Sequence, residues 1–171
     1  MKNFLKIIVA LILSSSVYSQ NAYASIITKE GNTMAKAMLN KNYSTMIDYT
    51  YPEIIKMAGG REKLLTLLES TMEGMSKQGY NIEKITLGEP QKIFTAGKEL
   101  HCLISETLLM STTQGKAQIT NYLLCISKDN GKNWCFLESS KLTPENIKKI
   151  FPNFNTALKI PEKGSPKIIS E

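Results

Sequence analysis

The sequence predicts an α+β fold in which N-terminal helices pack on a curved antiparallel sheet and a short helix follows near the C-terminus. Apolar residues recur at three- and four-residue intervals as far as Gln78, then alternate at two-residue intervals from Tyr80 to Ser139. Gly79 stands where the period changes, and glycine-bearing turn signals divide the alternating stretch into short runs.

Taken in order, the chain opens with the three parts of an export leader. Lys2 and Lys6 flank its start, Phe4 to Leu13 is apolar, and Ser14-Ser15-Ser16 ends the run. The unbroken stretch from Ile7 to Leu13 is far shorter than the roughly 20 residues that span a bilayer. Ala22-Tyr23-Ala24 supplies the small-x-small pattern of a cleavage site, so cleavage is expected between Ala24 and Ser25, with Val17-Tyr18-Ser19 as a second candidate. No cysteine adjoins the site to take a lipid. The expectation is therefore a leader over 1–24, export to the periplasm or extracellular space, and no stable membrane anchor after cleavage. One domain over 25–160 and a flexible tail over 161–171 complete the organisation.

Ile26, Ile27, Met34, Ala35, Met38 and Leu39 mark a first helix that stops at Asn40-Lys41-Asn42. Tyr43, Met46 and Ile47 begin a second. Pro52 has no N–H to donate and disfavours helix in the residue before it, so Pro52 to Met57 reads as a separate turn of helix closed by Gly59-Gly60. Leu64, Leu65, Leu67, Leu68, Met72 and Met75 then share a broad face of the longest helix, Arg61 to Gln78.

Five strands are predicted: Tyr80 to Leu87, Gln91 to Thr95, Glu99 to Ser111, Gln118 to Lys128 and Asn133 to Ser139. Asn130-Gly131 prefers the positive φ angles of a tight hairpin, making the last two strands antiparallel neighbours. Thr143-Pro144-Glu145 places a capping residue and an N1 proline at the start of a last helix that ends before Pro152.

Taking Cys102 to face Cys125 across the Thr113-Gln114 turn, and Cys125 to face Cys135 across the Asn130-Gly131 turn, puts the three cysteines in one row. Two readings follow. Cys125 and Cys135 can form one disulfide in an oxidising compartment, leaving a free thiol. The apolar neighbours Leu100, Ile104, Leu123 and Leu137, and the strain of a disulfide between directly paired strands, favour three core thiols instead. A flat row offers no tetrahedral set, so no metal is expected, and His101 points to the other face.

That other face would carry His101, Leu103, Ser105, Tyr122, Leu124, Ile126, Trp134, Phe136 and Glu138. A sheet apolar on both faces needs two covers, and the predicted helices supply one. A homodimer packed through the sheet is the expected second cover.

Removing the leader takes the formal charge from +6 to +4. The basic residues are scattered apart from a thickening toward the C-terminus, which argues against a nucleic-acid partner. There is no nucleophile elbow, no His-Glu-x-x-His helix, no phosphate-binding glycine loop and no Cys-x-x-Cys pair, and a single histidine limits hydrolytic triads. No cofactor is expected.

The runs Thr50-Tyr51-Pro52-Glu53-Ile54-Ile55-Lys56-Met57-Ala58-Gly59-Gly60-Arg61-Glu62-Lys63 and Asp129-Asn130-Gly131-Lys132-Asn133-Trp134-Cys135-Phe136-Leu137 resemble patterns of exported bacterial members of the nuclear transport factor 2-like superfamily. The order of helices followed by sheet is similar over about Ile26 to Pro152. The resemblance implies a cystatin-like cone, a pocket between the concave sheet face and the helices, and frequent dimers. It implies no reaction, since that fold hosts enzymes and binding modules alike.

Within such a pocket the expected lining is Ser105, Tyr122, Trp134, Phe136 and Glu138. An isomerase or dehydratase there needs a proton carrier and a donor aimed at a developing oxyanion. Glu138 and Tyr122 are the candidates, with His101 a third that has no acidic partner in the estimated register. Glu106 and Asn121 form the corresponding polar pair if the cysteine face lines the pocket. A non-catalytic module that binds an apolar small molecule or another protein is the favoured function, and a small pocket enzyme the alternative.

Overall fold

The structure, a computed structural model, describes residues 22–169. The expected leader lies outside these residues except for 22–24, which belong to the first described helix.

Helix α1 occupies residues 22–39 and stops where expected, with Lys41 at φ 58° and the Asn42 N–H returning to the Ala37 carbonyl. The Asn42 side chain then caps α2 (Tyr43–Asp48) by accepting from the Thr45 N–H at 3.1 Å. Pro52 begins α3 (Pro52–Met57), and α4 (Arg61–Lys77) ends at Gly79, whose φ of 83° only glycine adopts freely. Arg61 joins α4 to α2 through Asp48 at 2.7 Å and the Ser44 carbonyl at 2.8 Å.

The sheet is six-stranded, antiparallel and curved. Its spine is the long hairpin of β3 (Glu99–Thr112) and β4 (Gly115–Ser127). β1 (Asn81–Leu87) and β2 (Phe94–Ala96) pair with successive parts of β3, and β5 (Cys135–Glu138) with the distal part of β4. The Thr113-Gln114 turn sets the spine register as predicted: Cys102 faces Cys125, Ser105 faces Tyr122 and Glu106 faces Asn121. The segment expected as a tail runs beside β4 as well. Gly164 donates to the Thr120 carbonyl at 3.1 Å, and Lys167–Ile169 forms β6 against Lys116 to Gln118.

β5 departs from the expected register by one residue. Asn130 and Gly131 take the positive φ angles foreseen for them, 64° and 85°, but the connection is a longer loop, not a two-residue turn. Asp129 organises it. Its Oδ1 accepts from the Lys132 and Asn133 N–H groups at 3.1 and 3.0 Å, and its Oδ2 from the Asn133 amide at 2.6 Å. Together with the Ser127 hydroxyl, these bonds hold the Asp129 carboxyl down at about 2. The loop is nevertheless symmetric about Asn130-Gly131, and this sets Cys125 opposite Phe136 and Cys135 opposite Ile126, one residue from the expected Cys125–Cys135 pairing. A one-residue slip moves every side chain of a strand to the opposite face. Phe136 and Glu138, with Trp134 just before the strand, therefore join the cysteine face, and Cys135 leaves it. The row of three cysteines is corrected to a pair, Cys102 and Cys125, and a Cys125–Cys135 disulfide is excluded by the opposite facing of the two residues. All three are free thiols.

Each sheet face has its own cover. Helix α1 lays Ile27 and Met34 over Cys102, Ile104, Leu123, Cys125, Trp134 and Phe136. The Trp134 backbone N–H donates to Glu30 of α1 at 2.7 Å, and Tyr23 meets its ring edge-on at a centroid distance of 6.2 Å. The opposite face, where Leu103, Leu124 and Ile126 are buried, is closed by Tyr51, Phe151 and Leu158. Helix α5 (Pro144–Ile150), started by a Thr143–Asn146 capping box, feeds Phe151 into that layer. The face that prompted the expectation of a homodimer is thus covered by the chain itself. Light scattering at micromolar protein reads directly whether the chain is a monomer or the expected dimer.

Candidate functional site

The even-numbered residues of β3 and the odd-numbered residues of β4 look toward the helices, so the pleat that buries Cys102, Ile104, Leu123 and Cys125 also turns Glu106 and Asn121 inward. Farther along the spine, beyond the contact made by α1, the helices and sheet part to leave a cavity of about 520 Å³. Met34, Met38 and Met46 line it from α1 and α2, Met72 and Met75 from α4, and Met110 from β3. These unbranched thioethers make an adaptable apolar wall.

Besides Thr50 and Thr71, three polar side chains interrupt that wall. Glu106 is 7% exposed and Asn121 4%, and they stand opposite one another across the spine. Glu138, paired with Leu123, is the diagonal neighbour of Asn121 on the same face. The Asn121 side-chain oxygen is buried without a partner, and no hydrogen bond joins the Glu106 carboxyl to another described residue. Glu138 accepts from the Ser140 hydroxyl at 2.5 Å. Burial, and then the charge of Glu138, push the Glu106 carboxyl up to about 7. Lys141 and Lys163, both exposed, stand at the rim. The arrangement can seat an apolar body, offer hydrogen bonds at one place inside, and exchange a proton near neutral pH.

The structure divides the residues expected in the pocket. Phe136 and Glu138 line the cavity, on the face opposite to the one expected. Trp134 is buried in the core under α1, its indole N–H donating to the Gly131 carbonyl at 3.1 Å. Ser105 and Tyr122 face each other on the other side of the sheet, so the polar row Ser105, Tyr122, Glu138 does not assemble. Tyr122 packs instead against the C-terminal layer. The slip in β5 brings Glu138 to the Glu106–Asn121 pair.

His101 also differs from its reading. It lies on the face opposite the cavity, buried at 1% exposure, and does have an acidic partner: its Nε2 is 3.0 Å from Glu99 Oε2. Residues two apart on a strand share a face, a proximity that the cross-strand register does not register. The Tyr51 hydroxyl donates to the other Glu99 oxygen at 2.9 Å, completing a buried Tyr51–Glu99–His101 cluster beneath Phe151. Burial pushes the imidazolium of His101 down, against the opposing pull of Glu99. Cys102 and Cys125 are fully buried, and burial, followed by the hydrogen bond that the Cys125 thiol makes to Cys102, pushes the Cys125 thiol well up, away from the reactive thiolate.

Among the described residues no group of three or more histidine, cysteine, aspartate or glutamate side chains is placed to hold a metal ion, and no helix is long and apolar enough to cross a membrane. The methionine lining was not read from the sequence, although Met34 and Met38 at i, i+4 and Met72 and Met75 at i, i+3 put two thioethers on one face of each helix. Fold and site together define an α+β protein with an acid-bearing apolar cavity between its helices and its sheet. Comparison with protein-family models, with curated proteins and with solved structures gives no match to this chain.

Proposed function

We propose that this chain is an exported, non-catalytic binding protein of the nuclear transport factor 2-like, cystatin-like cone type, and that it holds a small, largely apolar molecule between α1, α4 and the sheet. The observation that carries the reading is the methionine-lined cavity with Glu106 and Asn121 buried and unpartnered in its wall. Concave, mostly apolar pockets with a few convergent polar groups are the usual form of a small-molecule site. Unpaired buried polar groups are costly unless a ligand meets them.

Native mass spectrometry of the mature protein from its exporting host tests the reading. A retained small molecule is expected, and Ile119→Trp, which projects a large ring into the cavity from β4, is expected to lose it while keeping the wild-type circular dichroism. Release of nothing from the wild type, together with no binding of an apolar fluorescent probe, overturns it. The same spectrum reads the leader. The expected mass is that of a chain beginning at Ser25, whereas one beginning at Gln20 would place cleavage after Ser19 and keep Tyr23 against Trp134.

A second reading, a proton-transfer enzyme of isomerase or dehydratase type, is favoured by one observation. Glu106, held at about 7 beside Glu138, can give and take a proton at neutral pH. Incubating the recovered ligand with the protein in deuterium oxide separates the two. The binding reading expects no deuterium uptake above a protein-free blank, and the enzyme reading expects uptake that Glu106→Gln abolishes.

A further inference from the structure

We propose that the molecule held in this cavity carries a cationic amine on its apolar body, seated against Glu106 and Glu138; the inference rests on the ligand-binding reading above. The polar groups of the cavity are unequal in sign. Inside stand two carboxyls and the amide of Asn121, whose oxygen has no partner, while the lysines Lys141 and Lys163 lie exposed at the rim. No ion pair among the described residues joins either carboxyl to a lysine. These four are the titratable groups that line the cavity, since α1, α2 and α4 contribute methionine, alanine and threonine to it.

A buried carboxylate without a counter-charge is strongly disfavoured, and the empty site avoids it by holding a proton on Glu106. Three kinds of polar end group would meet that arrangement differently. An ammonium group makes charge-assisted hydrogen bonds to one or both carboxylates and to the Asn121 oxygen, all of which accept. A neutral hydroxyl gains only neutral hydrogen bonds from Glu106, which keeps its proton. A carboxylate head group adds a further negative charge beside that of Glu138. Charge complementarity therefore selects the amine, and the methionine wall leaves the shape of the apolar body open.

Titration calorimetry of the mature protein with octylamine, octanol and octanoate tests this. At pH 7 octylamine is expected to bind about tenfold more tightly than octanol, the ratio that one charge-assisted hydrogen bond supplies. Octanoate is expected to bind most weakly. Amine binding should release a proton from Glu106, so its apparent enthalpy should vary with the ionisation enthalpy of the buffer. Glu106→Gln should remove that variation and narrow the preference for amine over alcohol, since Glu138 is then the one carboxyl left to meet the ammonium group. Glu138→Gln, which keeps Glu106, should retain the proton release and serves as the second variant if the first does not fold. Equal or tighter binding of octanol or octanoate by the wild type overturns the amine proposal and leaves the ligand-binding reading standing. Binding of an apolar fluorescent probe without any of the three overturns the amine proposal too, whereas binding of neither probe nor homologues fails the ligand-binding reading itself.

Discussion

Phe151→Ala is expected to lower the stability of the protein by roughly 3–5 kcal/mol, the cost of deleting a fully buried aromatic ring. Phe151 is 2% exposed. It packs tilted against Tyr51 at 4.9 Å and meets His101 edge-on at 5.3 Å between ring centroids. It also covers the face on which Leu103, Leu124 and Ile126 are buried, so its removal opens a cavity bounded by a strand, a helix and the C-terminal segment. A loss of that size is a large share of the 5–15 kcal/mol that hold a typical domain together. Urea unfolding followed by circular dichroism measures it as a lowered midpoint at unchanged slope. A loss below about 1 kcal/mol would mean that the C-terminal layer adds little to the fold.

The second large effect is a pH dependence centred on Glu106. Its carboxyl is held at about 7 in the folded protein, against an ordinary value near 4.5. The folded state therefore keeps a proton that the unfolded chain releases. Below about pH 4.5 both states are protonated and the group costs nothing. Between about 4.5 and 7 stability falls as pH rises, by about 1.4 kcal/mol per pH unit, and above 7 the full penalty of roughly 3 kcal/mol remains. Glu106→Gln is expected to remove this slope, leaving the variant more stable than the wild type at pH 8 and little changed at pH 4.5. Urea unfolding of both proteins across that range measures the difference. Parallel pH profiles would show that Glu106 ionises in the folded state as it does in the unfolded chain.

Most of the elements were legible because local chemistry decides them. Pro52, Gly79 and the Thr143-Pro144 start act within a turn of helix, and the structure places helix boundaries at each. The β3–β4 register was equally readable, since one short turn fixes the whole hairpin. What failed depended on counting across a loop. Asn130-Gly131 carries the right backbone preference and stands at the centre of the observed pairing, so the expected Cys125–Cys135 pairing lay one residue off the centre that the turn itself defines. Nothing in an alternating strand of apolar residues shows which of its two faces is inward. Glu138 was thus assigned to Tyr122 when it belongs with Asn121. The cover of the second face was missed for another reason: Phe151, Phe154, Leu158 and Ile160 follow no helical or strand period, and irregular segments leave no periodic signal. Glu106 was visible as a charged residue at an inward position of an apolar strand, and the β5 register that pairs Glu138 with Leu123 sets a second carboxyl beside it.

The seven residues between β4 and β5 touch no part of the cavity, yet their number determines what its wall offers. Losing or gaining one of them, with the strands still paired, would exchange Phe136 and Glu138 for Cys135 and Leu137 along the inward edge. An aromatic and an acid would be replaced by a thiol and an aliphatic chain, with every residue of the sheet retained. Selectivity in this architecture can therefore be inherited as a length as well as a set of side chains. A single-codon insertion or deletion far from the ligand would change its chemistry more deeply than many substitutions beside it.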